Sequence, residues 1–100
     1  MHARMTMTQY PPELVDQLEA AAKQAGQQMA PILRGMAGFR GGYWMADRST
    51  GRFIGLTFWD GEEQIKGYEA ATAELRAQAA AGSPQQVVEH FEIFDYLGPA

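Results

Sequence analysis

Apolar and polar residues alternate from the second position of this chain. In HARMTMTQY, His2, Arg4, Thr6 and Thr8 fall on one side and Ala3, Met5 and Met7 on the other, the period of a half-buried strand. Pro11 and Pro12 stop that strand and suit the first turn of a helix. From Glu13 the period changes. Leu14, Leu18, Ala21, Ala22 and Ala25 recur at helical spacing, and Gly26 predicts a helix end or a kink. A second, short helix is expected over Met29, Ile32, Leu33 and Met36, with Pro31 in its first turn and Gly35 and Gly38 closing it.

Two strands follow, FRGGYWMAD and RFIGLTFW, rich in aromatic and β-branched residues. The turn between them is Arg48-Ser49-Thr50-Gly51, with Gly51 in the left-handed conformation. That loop length pairs Asp47 with Arg52, Met45 with Ile54 and Tyr43 with Leu56. Phe39, Tyr43, Met45, Ile54, Leu56 and Phe58 then share one face. Arg40, Trp44, Phe53, Thr57 and Trp59 share the other, with room left at Gly42 and Gly55. Asp60 is placed to cap a helix, with Glu63 completing a capping box. That helix carries Ile65, Tyr68, Thr72, Leu75 and Ala79 on one side and ends at Gly82-Ser83-Pro84. The last strand is QVVEHFEIFDY, with Phe91 and Ile93 on one face and Val88, His90, Glu92 and Phe94 on the other.

The element order is β-α-β-β-α-β. Right-handed crossovers fold it into an α+β, ferredoxin-like arrangement: a four-stranded antiparallel sheet with both helices on one face. The face with Met5, Met7, Phe39, Tyr43, Leu56, Phe58 and Phe91 is the more apolar, and the helices are expected to cover it. The other face keeps Trp44, Phe53, Trp59, Val88 and Phe94, too large an apolar patch to leave in water. A second copy about a two-fold axis is the simplest cover. The expected dimer interface is therefore Trp44, Phe53, Trp59, Arg40, His90 and Phe94.

Composition narrows the function. One hundred residues read as a single domain over 1–100, and 46% hydrophobic residues suit a folded protein. The net charge of −4, with no basic run, argues against nucleic acid and against an anionic membrane surface as partners. No cysteine is present, which removes disulfides, zinc–thiolate sites and cysteine nucleophiles. No secretion signal or membrane span is read, so a cytoplasmic setting is expected. His2, His90 and Glu92 share a face, but they lack a local ligand spacing. A polar cluster of His90, Glu92, Arg4 and Arg40 at the dimer interface is expected there, and no metal.

The segment AGFRGGYWMADRSTGRFIGLTFWDGEEQ, in this order of elements, resembles the dimeric α/β-barrel superfamily, and within it proteins related to antibiotic-biosynthesis monooxygenases. The shared features are the corner Ala37-Gly38-Phe39, where proline is common in the first place, the turn Asp47-Arg48-Ser49-Thr50-Gly51, and Trp59 followed by Glu62 and Glu63. The resemblance spans nearly the whole chain. It implies a homodimer with a small ligand held between sheet and helices. It also implies a choice of activities: cofactor-free oxygenation, haem degradation, isomerisation, or none. Haem-degrading relatives place an axial histidine on the second long helix. Residues 61–81 contain no histidine, and Tyr68 faces inward instead. Haem is thus disfavoured, and no cofactor is expected.

A cofactor-free oxygenase needs an apolar slot for an aromatic molecule and a hydroxyl to position it. The expected substrate-binding residues are Met5, Phe39, Tyr43, Phe58, Tyr68, Thr72 and Phe91, with Tyr68 the candidate catalytic residue. Either tyrosine taken alone reads more readily as a core residue. Ser49, Thr50 and Ser83 have no histidine near them in sequence, and the glycines of GMAGFRGG form no phosphate loop. The leading reading is a homodimeric barrel that binds a small aromatic molecule and oxidises it with molecular oxygen. A non-catalytic ligand-binding or stress-related barrel, and an isomerase or lyase, stand beside it.

Overall fold

The computed structural model describes residues 1–82 and 84–99, and the side chains of all of these except Ala79 and Ala80. Its elements are β1 (His2–Gln9), a single 3-10 turn (Pro12–Leu14), α1 (Val15–Arg34), β2 (Phe39–Asp47), β3 (Arg52–Trp59), α2 (Glu62–Ala80) and β4 (Val87–Glu92). The strands form one antiparallel sheet in the order β2-β3-β1-β4. This is the ferredoxin-like α+β arrangement that the element order predicts.

The hairpin has the predicted register. Asp47 pairs with Arg52, Met45 with Ile54 and Tyr43 with Leu56. The Asp47 carboxylate accepts from the Ser49 hydroxyl and amide, and Gly51 closes the turn by donating to the Asp47 carbonyl at 2.8 Å. Gly51 has φ 80°, and a Cβ there would meet the Tyr10 carbonyl oxygen at 2.0 Å, so both conformation and space require glycine.

Three local expectations are corrected. First, α1 is one helix and runs unbroken through Gly26 and Pro31. The good helix formers on both sides, Ala20–Gln24 and Gln27–Ala30, outweigh a penalty of about 1 kcal/mol for an internal glycine. Second, α2 starts after Gly61 with no side-chain cap. Asp60 is committed elsewhere, accepting from Arg40 Nε at 2.6 Å. Third, β4 stops at Glu92, and the expected strand through Tyr96 is not formed. The Ile93 amide still reaches the Met1 carbonyl at 2.9 Å, after which Phe94 is 95% exposed. Of the expected α2 stop, Gly82 has φ 79°, and Ser83 lies outside the described residues.

The largest correction concerns which face of the sheet the helices cover. From Gly42 onward the sequence sorts the hairpin side chains into two faces correctly but assigns those faces the wrong way round. A bulge between Phe39 and Gly42 carries Phe39 to the face of Trp59, with which it pairs, and away from Tyr43. Trp59, expected at a dimer interface, is 0% exposed and forms the core with Leu33 of α1 and Ile65 of α2. Its neighbours on β1 and β2 share its side through the strand register: His2 pairs with Trp59, Arg4 with Thr57, and Trp44 with Gly55. The helices therefore cover the face with His2, Arg4, Trp44, Phe53, Trp59 and His90. The physical reason lies on α2. Glu69 follows Ile65 by one turn on its inner stripe, and it accepts from Arg4 Nε at 2.8 Å and contacts His90 Nε2 at 3.0 Å. A buried arginine needs that carboxylate, and α2 brings it to the Arg4 side of the sheet.

The face left open is the more apolar one. It carries Met5 and Met7 of β1, Tyr43 and Met45 of β2, Ile54, Leu56 and Phe58 of β3, and Val87 and Phe91 of β4, with Glu89 between the last two. Tyr43 is 64% exposed there, and it meets Phe58 edge-on at 6.2 Å.

Candidate functional site

Helix α1 meets the sheet only at its ends. Val15 and Leu33 are its buried residues, separated by about 27 Å of helix. At the N-terminal end, Arg48 of the β2–β3 turn also reaches across to Asp16 and Glu19. Between these anchor points the small residues Ala22, Gly26 and Ala30 line the space over the sheet, with Lys23 and Gln27 beside them. The result is a cleft of about 960 Å³ between α1 and strands β1, β2 and β3.

Its floor is the indole of Trp44. The ring lies over the two glycines of the sheet: a Cβ on Gly42 would come within 3.2 Å of Trp44 Cη2, and one on Gly55 within 3.3 Å of Nε1. Glycine at both positions lets the indole lie down on the strands. Its upper face is open to the cleft, and the residue is 62% exposed. Thr6 and Thr8 add hydroxyls, and Phe39 and Phe53 form apolar walls. Phe53 is held by Tyr10 in an edge-to-face pair at 5.4 Å. Among the described residues, the Trp44 Nε1–H has no protein acceptor. The cleft is thus a flat aromatic shelf with apolar sides, hydroxyls at one edge and a free indole donor. That arrangement has the shape and chemistry to stack a planar ring. Glu19 is the carboxylate of the lining, and it is held by Lys23 at 3.1 Å and by Arg48.

The structure separates the predicted site residues. Phe39 lines the cleft. Tyr68 and Thr72 lie under α2 beside it. Tyr68 packs on Trp59 at 5.3 Å between the guanidinium groups of Arg4 and Arg76, at 5.2 and 5.8 Å from its ring, and borders a smaller hollow of about 330 Å³. Thr72 is buried, its hydroxyl donating to the Tyr68 carbonyl at 2.8 Å and accepting from Arg76 Nε at 3.0 Å. Met5, Tyr43, Phe58 and Phe91 stand on the open face of the sheet, away from the helices, because the face assignment is reversed. For the same reason Trp44 and Phe53, expected at a dimer interface, line the cleft, and His90 faces α2. Arg40 is taken up by Asp60, and Phe94 lies beyond the end of β4. The expected cluster of His90, Glu92, Arg4 and Arg40 is therefore divided: Arg4 and His90 meet Glu69, while Glu92 sits 4.0 Å from His2. Among the described residues, no three His, Asp or Glu side chains converge as a metal set. The sequence carried a signal for the cleft that its reading missed: an aromatic side chain flanked by Gly42 and Gly55 on paired strands has space to lie flat.

The Arg4–Glu69–His90 group fixes α2 against the sheet beside the cleft. Arg4 is 5% exposed, and one of its terminal nitrogens, Nη2, is buried without a partner. Burial pushes the Glu69 carboxyl up, but the hydrogen bonds and positive charge of Arg4 and His90 outweigh it and hold the group below its ordinary value of 4.5. A depressed carboxylate stabilises the fold above its unfolded pKa and loses that contribution as pH falls through the folded value. The stability curve is therefore expected to fall off below about pH 4.5. Glu69→Gln should flatten that acid limb and cost roughly 1–3 kcal/mol at neutral pH. Urea melts of both proteins between pH 3 and pH 7 check this, and an unchanged acid limb in the variant would count against it.

No family model matches this sequence, and a comparison with curated protein sequences finds no match. Solved structures do match over the whole fold. A monooxygenase from the gene ActVA-Orf6 of Streptomyces coelicolor, in complex with nanaomycin D, is 19% identical with a TM-score of 0.70 over 99% of this chain and 91% of that one. SnoaB, a cofactor-independent oxygenase from Streptomyces nogalater, is 14% identical with a TM-score of 0.70 over 98% and 96%. The haem-degrader MhuD from Mycobacterium tuberculosis, with two haems bound in its active site, is 16% identical with a TM-score of 0.68 over 98% and 100%. The fold is that of the antibiotic-biosynthesis-monooxygenase-like structures, as the sequence resemblance implies. At these identities the likeness establishes the fold alone. It does correct one expectation. The absence of a histidine from α2 was the ground for expecting no cofactor, yet the fold that matches this chain includes a structure holding haem, so that expectation is withdrawn. Tyr10 places a phenol in the lining, and no imidazole stands there among the described residues. Also among the described residues, no helix is long and apolar enough to cross a membrane.

Proposed function

We propose that this chain forms a homodimer through its open sheet face and binds a small, flat, largely apolar aromatic molecule in the cleft under α1, with the ring stacked on Trp44. The observation that carries this reading is the exposed indole lying on Gly42 and Gly55 beneath a helix that touches the sheet only at its ends. A large aromatic side chain left open on the floor of a cleft is a stacking surface in want of a ring. Oxygenation of a bound phenolic ring is the reaction we assign to it. The phenol is oxidised to a quinone, one atom of O2 enters the ring and the other leaves as water, so the ring itself is the reductant. Oxygenases among the matched structures support this. The chain's own residues would supply position and dryness: Trp44 stacks the ring, Thr6 and Thr8 orient its oxygen substituents, and Phe39 and Phe53 exclude water.

Trp44→Ala is expected to weaken binding of a naphthol or naphthoquinol probe by about tenfold or more. Because the side chain is exposed, the variant should keep the stability of the parent. Titration calorimetry with oxygen uptake recorded on the same samples separates the outcomes. Binding with oxygen consumption supports the whole reading. Binding without it leaves a ligand-binding barrel. No binding to the parent protein rejects the site.

A further inference from the structure

We infer that the ring bound on Trp44 is that of an aromatic acid, with its carboxylate held by Arg34. This inference rests on the binding reading above and adds the charge of the ligand to it.

The cleft is electrically uneven. At the end near the β2–β3 turn its cations are already neutralised, Lys23 by Glu19 at 3.1 Å and Arg48 by Asp16 and Glu19. Arg34 lines the opposite end, in the last turn of α1. It lies about 22 Å along the helix from Glu19. Among the described residues, Arg34 has no carboxylate within ion-pair distance. In a chain of net charge −4 with 12 acidic residues, a cation left without a partner at the mouth of an aromatic cleft is not a by-product of a basic surface. The guanidinium group presents a planar fork of donors that matches a carboxylate. The shelf fixes the plane of a ring and Arg34 fixes which of its edges faces that end of α1. A monoanionic aromatic acid satisfies both, whereas a neutral ring leaves Arg34 to solvent.

Arg34 also lies beside the last carbonyls of α1, where a positive charge is favourable without any ligand. The test must therefore read ligand charge and not only stability. The probes are 2-naphthoate and its neutral isostere 2-naphthamide, titrated against the full chain and against Arg34→Gln, with quenching of tryptophan fluorescence as the readout. The parent is expected to bind the acid about tenfold more tightly than the amide. In Arg34→Gln that preference should vanish while amide binding is unchanged. Raising the salt concentration should weaken the acid and leave the amide alone. Equal binding of acid and amide by the parent overturns this inference and leaves the shelf standing. A preference for the acid that survives Arg34→Gln overturns the assignment to Arg34. Binding of neither probe overturns the inference together with the binding reading under it.

Discussion

Trp59→Ala is expected to remove a large part of the stability of this protein, while Trp44→Ala removes almost none. Trp59 is fully buried between the sheet and both helices. Its Nε1–H donates to the Thr57 hydroxyl at 2.9 Å, and its ring meets Phe39 edge-on at 5.2 Å and Tyr68 at 5.3 Å. Truncating a tryptophan so placed costs about 3–5 kcal/mol in lost transfer energy and cavity. A domain of this size has about 5–15 kcal/mol in total. The variant should therefore unfold at much lower urea or populate a state with loose packing. Trp44 rests on the sheet with its upper face in solvent, so its loss removes little buried area. The pair of urea melts tests the face assignment directly. If Trp44→Ala were the more damaging change, the helices would have to lie on the other side of the sheet.

Leu56→Glu is expected to convert a dimer into a folded monomer. Leu56 sits at the centre of the open face, paired with Met5 on one side and Tyr43 on the other. Four strands at ~4.8 Å spacing and about six residues long span roughly 400 Å² of flat sheet before side-chain relief is added. An apolar area of that order, interrupted only at Glu89 of β4, matches the largest patch a typical monomer exposes. In a two-fold interface each substitution counts twice. Losing two buried leucines costs about 4 kcal/mol, roughly a thousandfold in the dissociation constant. The desolvation of two facing carboxylates adds to that. Sedimentation should give twice the 11.0 kDa chain mass for the parent and the chain mass for the variant, with unchanged far-ultraviolet dichroism. A parent protein that sediments as a monomer, or a variant that stays dimeric, contradicts the interface.

Much of this fold is legible in the sequence, and the error is informative. The hairpin register follows from the spacing of Asp47, Gly51 and Arg52, because a turn of fixed length sets every pair behind it. The division of side chains into two faces follows from the period of two. Which face the helices take does not follow, because alternation says only which residues stand together. Both faces carry aromatics, and the greater apolarity of one led to the wrong choice. The deciding residue was Glu69. Ile65, Glu69, Thr72 and Arg76 recur on the inner stripe of α2, and an acid in that stripe has a purpose only opposite Arg4 and His90. Once the faces are exchanged, the argument for a dimer carries over to the methionine and tyrosine face. The residues first assigned to the dimer, Trp44 and Phe53, become the lining of the cleft. The cleft was also hidden by reading Gly26 as a helix end. One helix anchored at Val15 and Leu33 leaves a gap that two short helices would not.

The central claim is that a flat ring binds on Trp44. The chain has two tryptophans, so a proton–nitrogen correlation spectrum shows two indole signals, which Trp44→Phe assigns. On titration with 2-naphthoate or a naphthoquinol, the account predicts that the Trp44 indole signal moves with saturation and the Trp59 signal stays in place. Movement of the Trp59 signal alone, or of neither, would contradict it.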